Sequence, residues 1–191
     1  AQALMIPCLI ILLVLMAGAV WQIGDIVVEY IAERRKHKCD VPQLLRDVHT
    51  AGADGLAELI ENSGLLRRQK KALLELAESR GLPKDTLTAL AERLLATEEA
   101  RNARTTSVTD MIAKLGPMFG LLGTLIPLGP GIVALGQGDT VTLSESMNVA
   151  FDTTIAGVIS AAVASVISHI RKRWYNDDMV SLETLMEAVL E

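Results

Sequence analysis

Aromatic residues make up only 3% of this chain, and reactive side chains are few, with two cysteines and three histidines in 191 residues. Without aromatic side chains there are no platforms on which nucleobases stack. Cys8 and Cys39 are too few and too badly placed for a disulfide framework, one lying in an apolar run and the other beside a basic one. No His or Cys falls at metal-ligand spacing, no glycine-rich loop suits a phosphate, and no nucleophile stands near a base. The reading is therefore of a protein without cofactor, metal or enzyme catalysis. Basic and acidic residues are nearly balanced over residues 32–114, where most of the charge lies, and this argues against a nucleic-acid footprint.

Charge is the other absence, and it is a local one. Residues 1–24 carry no charge, residues 115–138 carry none, and residues 146–170 carry only Asp152. Half of the chain is hydrophobic and its mean hydropathy is positive, at +0.35. About 20 mostly apolar residues in a helix cross the hydrocarbon core of a bilayer, so these three stretches predict three spans. The first is read as a span and not a signal peptide, because its apolar run exceeds a typical signal core.

Basic residues orient the chain. All 18 fall in 34–114 or 171–173, whereas the loop near 136–145 has Asp139 and Glu145 instead. The positive-inside rule then places the N-terminus outside and the C-terminus inside. The expected architecture is all-α. A first transmembrane helix (1–31) is followed by a helical cytoplasmic domain (32–114) and a second span (115–135). An outer loop (136–142), a third span (143–170) and a cytoplasmic tail helix (171–191) complete it.

Within the first span, Trp21 and Tyr30 suit the inner interface, and Asp25 with Glu29 read as a solvated helix end more readily than as a metal or proton site. In the insert, Pro42 suits a first helical turn and Ala51-Gly52 a stop. Asp54 is a candidate cap, Asn62-Ser63-Gly64 a second break, and Gly81 with Pro83 a third. From Lys84 the leucines 87, 90, 94 and 95 have helical period, and no Pro or Gly intervenes before Gly116. One helix is expected to run from there into the second span.

The spans themselves are not plain anchors. Gly116, Gly120, Gly123 and Gly131 thin one side of the second, and Pro127 with Pro130 are expected to loosen its far half. On the third, Ala150, Thr154, Gly157, Ala161, Ala164 or Ser165, and Ser168 form a small and polar stripe. Small residues let helix backbones approach closely in lipid, so this helix is built to touch protein. Thr124 lies about 14 Å beyond Lys114, near mid-membrane. Taken alone, its hydroxyl is more often bonded to its own helix than to a pore. A capping box at Thr142-x-x-Glu145 would start the third helix near Leu143 and put Thr154 about 17 Å along it, at a comparable depth. Paired hydroxyls hold no proton at neutral pH, but they can ligate a cation or hold water beside a carboxylate from another chain. Asp152, two residues before Thr154, points nearly opposite and should face a different neighbour. An interhelical hydrogen bond and a place in an ion path are both open to it.

Gly116-Pro-Met-Phe-Gly-Leu-Leu-Gly-Thr124 and Ala150-Phe-Asp-Thr-Thr154-Ile-Ala-Gly157, in this order and topology, resemble the second- and third-helix motifs of the MotA/TolQ/ExbB proton channel family. The resemblance implies an ion-channel subunit of an inner-membrane motor, forming a homo-pentamer. Its second and third helices would line a central pore, with Thr124 and Thr154 as the pore threonines. It also implies a partner, a dimer of single-span subunits of the ExbD, TolR or MotB kind, whose aspartate takes up the ion. Thr153 beside Thr154 resembles sodium-driven relatives, so the ion is a proton or sodium. Asp152, Pro127 and Pro130 depart from the family pattern. A non-conducting scaffold and a self-sufficient channel using Asp152 are the alternatives.

Overall fold

The computed structural model describes residues 2–34, 40–50 and 55–190. Among these the chain is entirely helical. It comprises α1 (Gln2–Glu29), which ends in a π-helical turn at Tyr30–Arg34, α2 (Val41–Thr50), α3 (Leu56–Asn62), α4 (Arg67–Glu78), α5 (Lys84–Gly136) and α6 (Thr140–Leu190). Cys39, His37 and the basic run around it, the Ala51-Gly52 stop and the Asp54 cap lie outside the described residues. Among the described residues, three helices are long and apolar enough to cross a membrane, namely α1, α5 and α6. The chain divides into two compact units, Ala1–Ile26 with Thr105–Arg171, and Val27–Arg104 with Lys172–Glu191.

Both long helices run further than local breakers suggest. From Lys84, α5 continues without interruption, as the lack of early Pro or Gly predicts, but it also passes through Pro117, Pro127 and Pro130. Pro127 and Pro130 do not break it. In an apolar surround an opened turn has no water to satisfy its freed carbonyls, and this favours keeping the helix. The tail is likewise no separate helix. It is the last part of the 51-residue α6, which has no Gly or Pro after Gly157.

The hairpin between them is short. Gly138, the one described residue with a left-handed φ (76°), ends α5. Its N–H reaches Leu135 O at 3.1 Å and the Asp139 N–H reaches Ala134 O at 2.9 Å, which is the Schellman pattern. Asp139 then caps α6. Its carboxylate accepts the Thr142 N–H at 3.1 Å and the Thr142 hydroxyl at 2.5 Å. These two bonds, led by the hydroxyl, hold the Asp139 carboxyl below the usual carboxylate range. The expected capping box at Thr142 is thus corrected. Thr142 donates to a cap three residues earlier, and the helix begins at Thr140.

The unit of Val27–Arg104 and Lys172–Glu191 has an aliphatic core. Leu44 and Val48 of α2, Leu56 and Ile60 of α3, Leu73 and Leu76 of α4, Leu87 and Ala91 of α5, and Leu182, Leu185 and Met186 of α6 are all buried together. Polar ties run over this core. Gln69 donates from Nε2 to Asp178 O at 2.9 Å, and the Arg80 guanidinium donates twice to Val189 O, at 3.1 and 2.8 Å. Tyr30 stacks on Trp174 with ring centroids 6.1 Å apart.

Candidate functional site

In the other unit, α5 and α6 lie antiparallel along a seam of very small side chains. A Cβ placed on Gly116 would fall 2.7 Å from Gly157 O, and one on Gly157 would fall 2.8 Å from the Gly120 Cα. Real Cβ atoms do not approach so closely, so the two backbones touch where glycine is the only residue that fits. Farther along, Gly123 meets Thr153 and Gly131 meets Ser146, while Ala161 packs at Gly116. Gly120, Ala150, Ala161 and Ala164 are buried along the same line.

The threonines sort differently from the sequence stripe. It is Thr153 that is buried in the seam, 5% exposed, with its hydroxyl donating to Val149 O (3.0 Å) and Ala150 O (2.9 Å) of its own helix. Thr154 stands half-buried at the seam's edge. Its hydroxyl lies 3.1 Å from Ala150 O and 3.4 Å from Gly120 O on the facing helix, so it alone of the two reaches across. Thr124, also half-buried, donates to Leu121 O of its own helix at 2.6 Å. Both hydroxyls are thereby oriented with lone pairs left over for a further donor or a cation. Asp152 is exposed, flanked by the exposed Phe151 and Ile155, on a different side of α6 from the seam. Among the described residues, no carboxylate is buried in the seam between Gly116 and Gly131.

Two features of this unit escaped the sequence reading. The first is how α1 docks. Cys8, Leu12, Leu15, Ala19 and Gln22 are buried at alternating steps of four and three, a single helical stripe within an otherwise lipid-like surface. Cys8 faces Phe119 O with its Sγ at 3.5 Å. The second is a polar belt at the end of the unit near Arg171. There the buried Arg171 donates to Gln22 Oε1 at 2.6 Å, and the Ser168 hydroxyl donates to the Asp110 carboxylate. Thr109 Oγ1 is fully buried in the same stretch of α5 without a protein partner. Gln22, a lone amide in an apolar run, was the signal for both.

Comparison with known families follows the same helices. The model of the MotA/TolQ/ExbB proton channel family matches residues 58–184, which take in all of α4 and α5 and most of α6. No curated protein matches the chain.

Proposed function

The chain belongs to the MotA/TolQ/ExbB proton channel family, and from that membership we propose that it is the ion-conducting subunit of an inner-membrane motor that turns an ion-motive force into mechanical work. It works as a homo-pentameric ring around a dimer of single-span partners, with its N-terminus outside, its insert and C-terminus inside, and Thr124 and Thr154 at the ion path. The transported ion is a proton or, given the Thr153-Thr154 pair, sodium.

One observation carries this reading. The Thr124 and Thr154 hydroxyls are each held by a backbone carbonyl, and among the described residues no carboxylate is buried in the threonine region of the α5–α6 seam. Hydroxyls solvate a passing cation or a water file, yet they do not take up a proton at neutral pH. The titrating group therefore comes from a partner chain, which is how a two-component motor divides the work. Asp152, on the other side of α6, serves the contact with a neighbouring chain in this reading.

Native mass spectrometry of the complex, purified gently from its own membranes, tests it. Five copies of this chain with two of a small single-span protein are expected. Monomers or dimers without a second membrane protein would contradict the ring and leave the seam a packing device.

A further inference from the structure

Proline gives α5 a backbone acceptor that the helix itself does not use. A proline has no N–H, so the carbonyl four residues before it loses its helical donor. Pro117, Pro127 and Pro130 all lie inside α5, and the carbonyls concerned are those of Ala113, Gly123 and Ile126. At 100° per residue, Gly123 and Ile126 stand about 100° and 160° from Thr124 around the helix, whereas Ala113 stands within about 20° of it. A helix carbonyl points along the axis toward the residue four positions on. For Ala113 that residue is Pro117, which is exposed, so its oxygen is freed beside an open surface on the threonine side of α5.

The facing helix supplies a counterpart. Ala113 precedes Thr124 by the same number of residues as Ser165 follows Thr154, and on antiparallel helices both steps lead toward the end of the unit near Arg171. Each step is three turns and about 20°, a rise of about 17 Å. Gly116 meets Ala161 and Gly120 meets Gly157. The same register sets Ala113 level with Ala164 and within about 1.5 Å in height of Ser165. Ala164 is buried in the seam, while Ser165 is exposed beside it. A carbonyl and a hydroxyl thus repeat the Thr124 and Thr154 pair three turns farther along.

Backbone groups freed by proline within a span are satisfied by protein or by a water-filled surface, and not by hydrocarbon. We propose that the Ala113 carbonyl and the Ser165 hydroxyl form a second oxygen station on the ion path, taking a monovalent cation, sodium or the hydrated proton, about 17 Å inward of the threonines. The inference rests on the pore-lining role of α5 and α6 proposed above. Both groups offer lone pairs that replace part of a cation's hydration shell or hold a water file, and neither takes up the proton itself. A ring of copies brings both oxygens to one level from every chain. Pro117, costly inside a helix, acts here by withholding a donor.

Two substitutions test the station in vesicles holding the native complex, with proton flux and sodium flux read separately. Pro117→Ala returns an N–H to the Ala113 carbonyl and removes only an exposed ring. This complex should melt at a higher temperature than the parent, yet its flux should fall about fivefold. A proline serving the fold alone would leave flux unchanged. Ser165→Ala should lower flux about threefold at an unchanged melting temperature, and Ser165→Thr, which keeps the hydroxyl, should restore most of it. Parent-like flux in an intact Pro117→Ala or Ser165→Ala complex would overturn the station and leave the threonine path standing. Should Pro117→Ala fail to assemble, the two Ser165 variants decide alone. A parent complex without ion flux would overturn the ion path and the station with it.

Discussion

The same two helices, α5 and α6, hold two units together by opposite means. In the unit of Val27–Arg104 and Lys172–Glu191 they contribute Leu87, Leu182, Leu185 and Met186 to an aliphatic core. In the other they meet through Gly116, Gly120, Gly123 and Gly157. The difference reflects the solvent. Water rewards burial of large apolar groups at about 25 cal/mol per Å², so a core there is built from leucine. Hydrocarbon gives no such return, and association depends on close backbone approach and short polar contacts, which only small residues permit. Beside the glycine seam, long aliphatic side chains of α5 and α6 accordingly point outward, as Leu121, Leu125, Ile155 and Val158 do.

Truncation should hurt one unit and enlargement the other. The largest effect is expected for Leu76→Ala, a fully buried side chain, at about 3 kcal/mol of lost stability in denaturant unfolding. Gly157→Ala, a gain of one methyl, should cost about 2 kcal/mol, because its Cβ would lie 2.5 Å from Gly116 O. A thermal melt in detergent reads this, and a neutral outcome would remove the contrast. Gly24→Ala is the control, since nothing lies within 4 Å of its Cβ position. Better helix propensity should make it stabilising by about 0.8 kcal/mol.

A smaller effect separates the hairpin from both units. The Asp139 carboxyl is lowered by its bonds to Thr142. Its contribution to the cap is therefore complete above the ordinary carboxylate value of about 3.9 and is lost only as pH falls through its own lower value. Amide exchange at Thr142 should stay protected down to that point. Loss of protection at pH 5 or above would contradict the cap.

How far these features could be read beforehand depended on their physical origin. Charge gaps of a bilayer's length announce the spans, and glycine at helical spacing announces the seam, because each answers to composition over many residues. Which of two adjacent threonines enters the seam depends on helix rotation by 100°, and the stripe drawn through Thr154 passes in the structure through Thr153. Proline is a breaker in water but is tolerated in a span, so α5 runs on through Pro127 and Pro130. The α1 stripe was hidden because Leu12 and Leu15 look no different from the lipid-facing Leu13 and Val14. Asp139 was passed over because the Thr142-x-x-Glu145 pattern is equally legible and only the Gly138 turn decides between them.

The most direct test of the ion-path assignment is proton and sodium flux across vesicles holding the native complex, with Thr154→Val beside the parent. The exchange keeps side-chain shape and removes a hydroxyl at the edge of the seam, so assembly and melting temperature should stay close to those of the parent. Flux should fall to background. Parent-like flux in an intact Thr154→Val complex would contradict the account and leave Thr154 an ordinary residue of a packed helix.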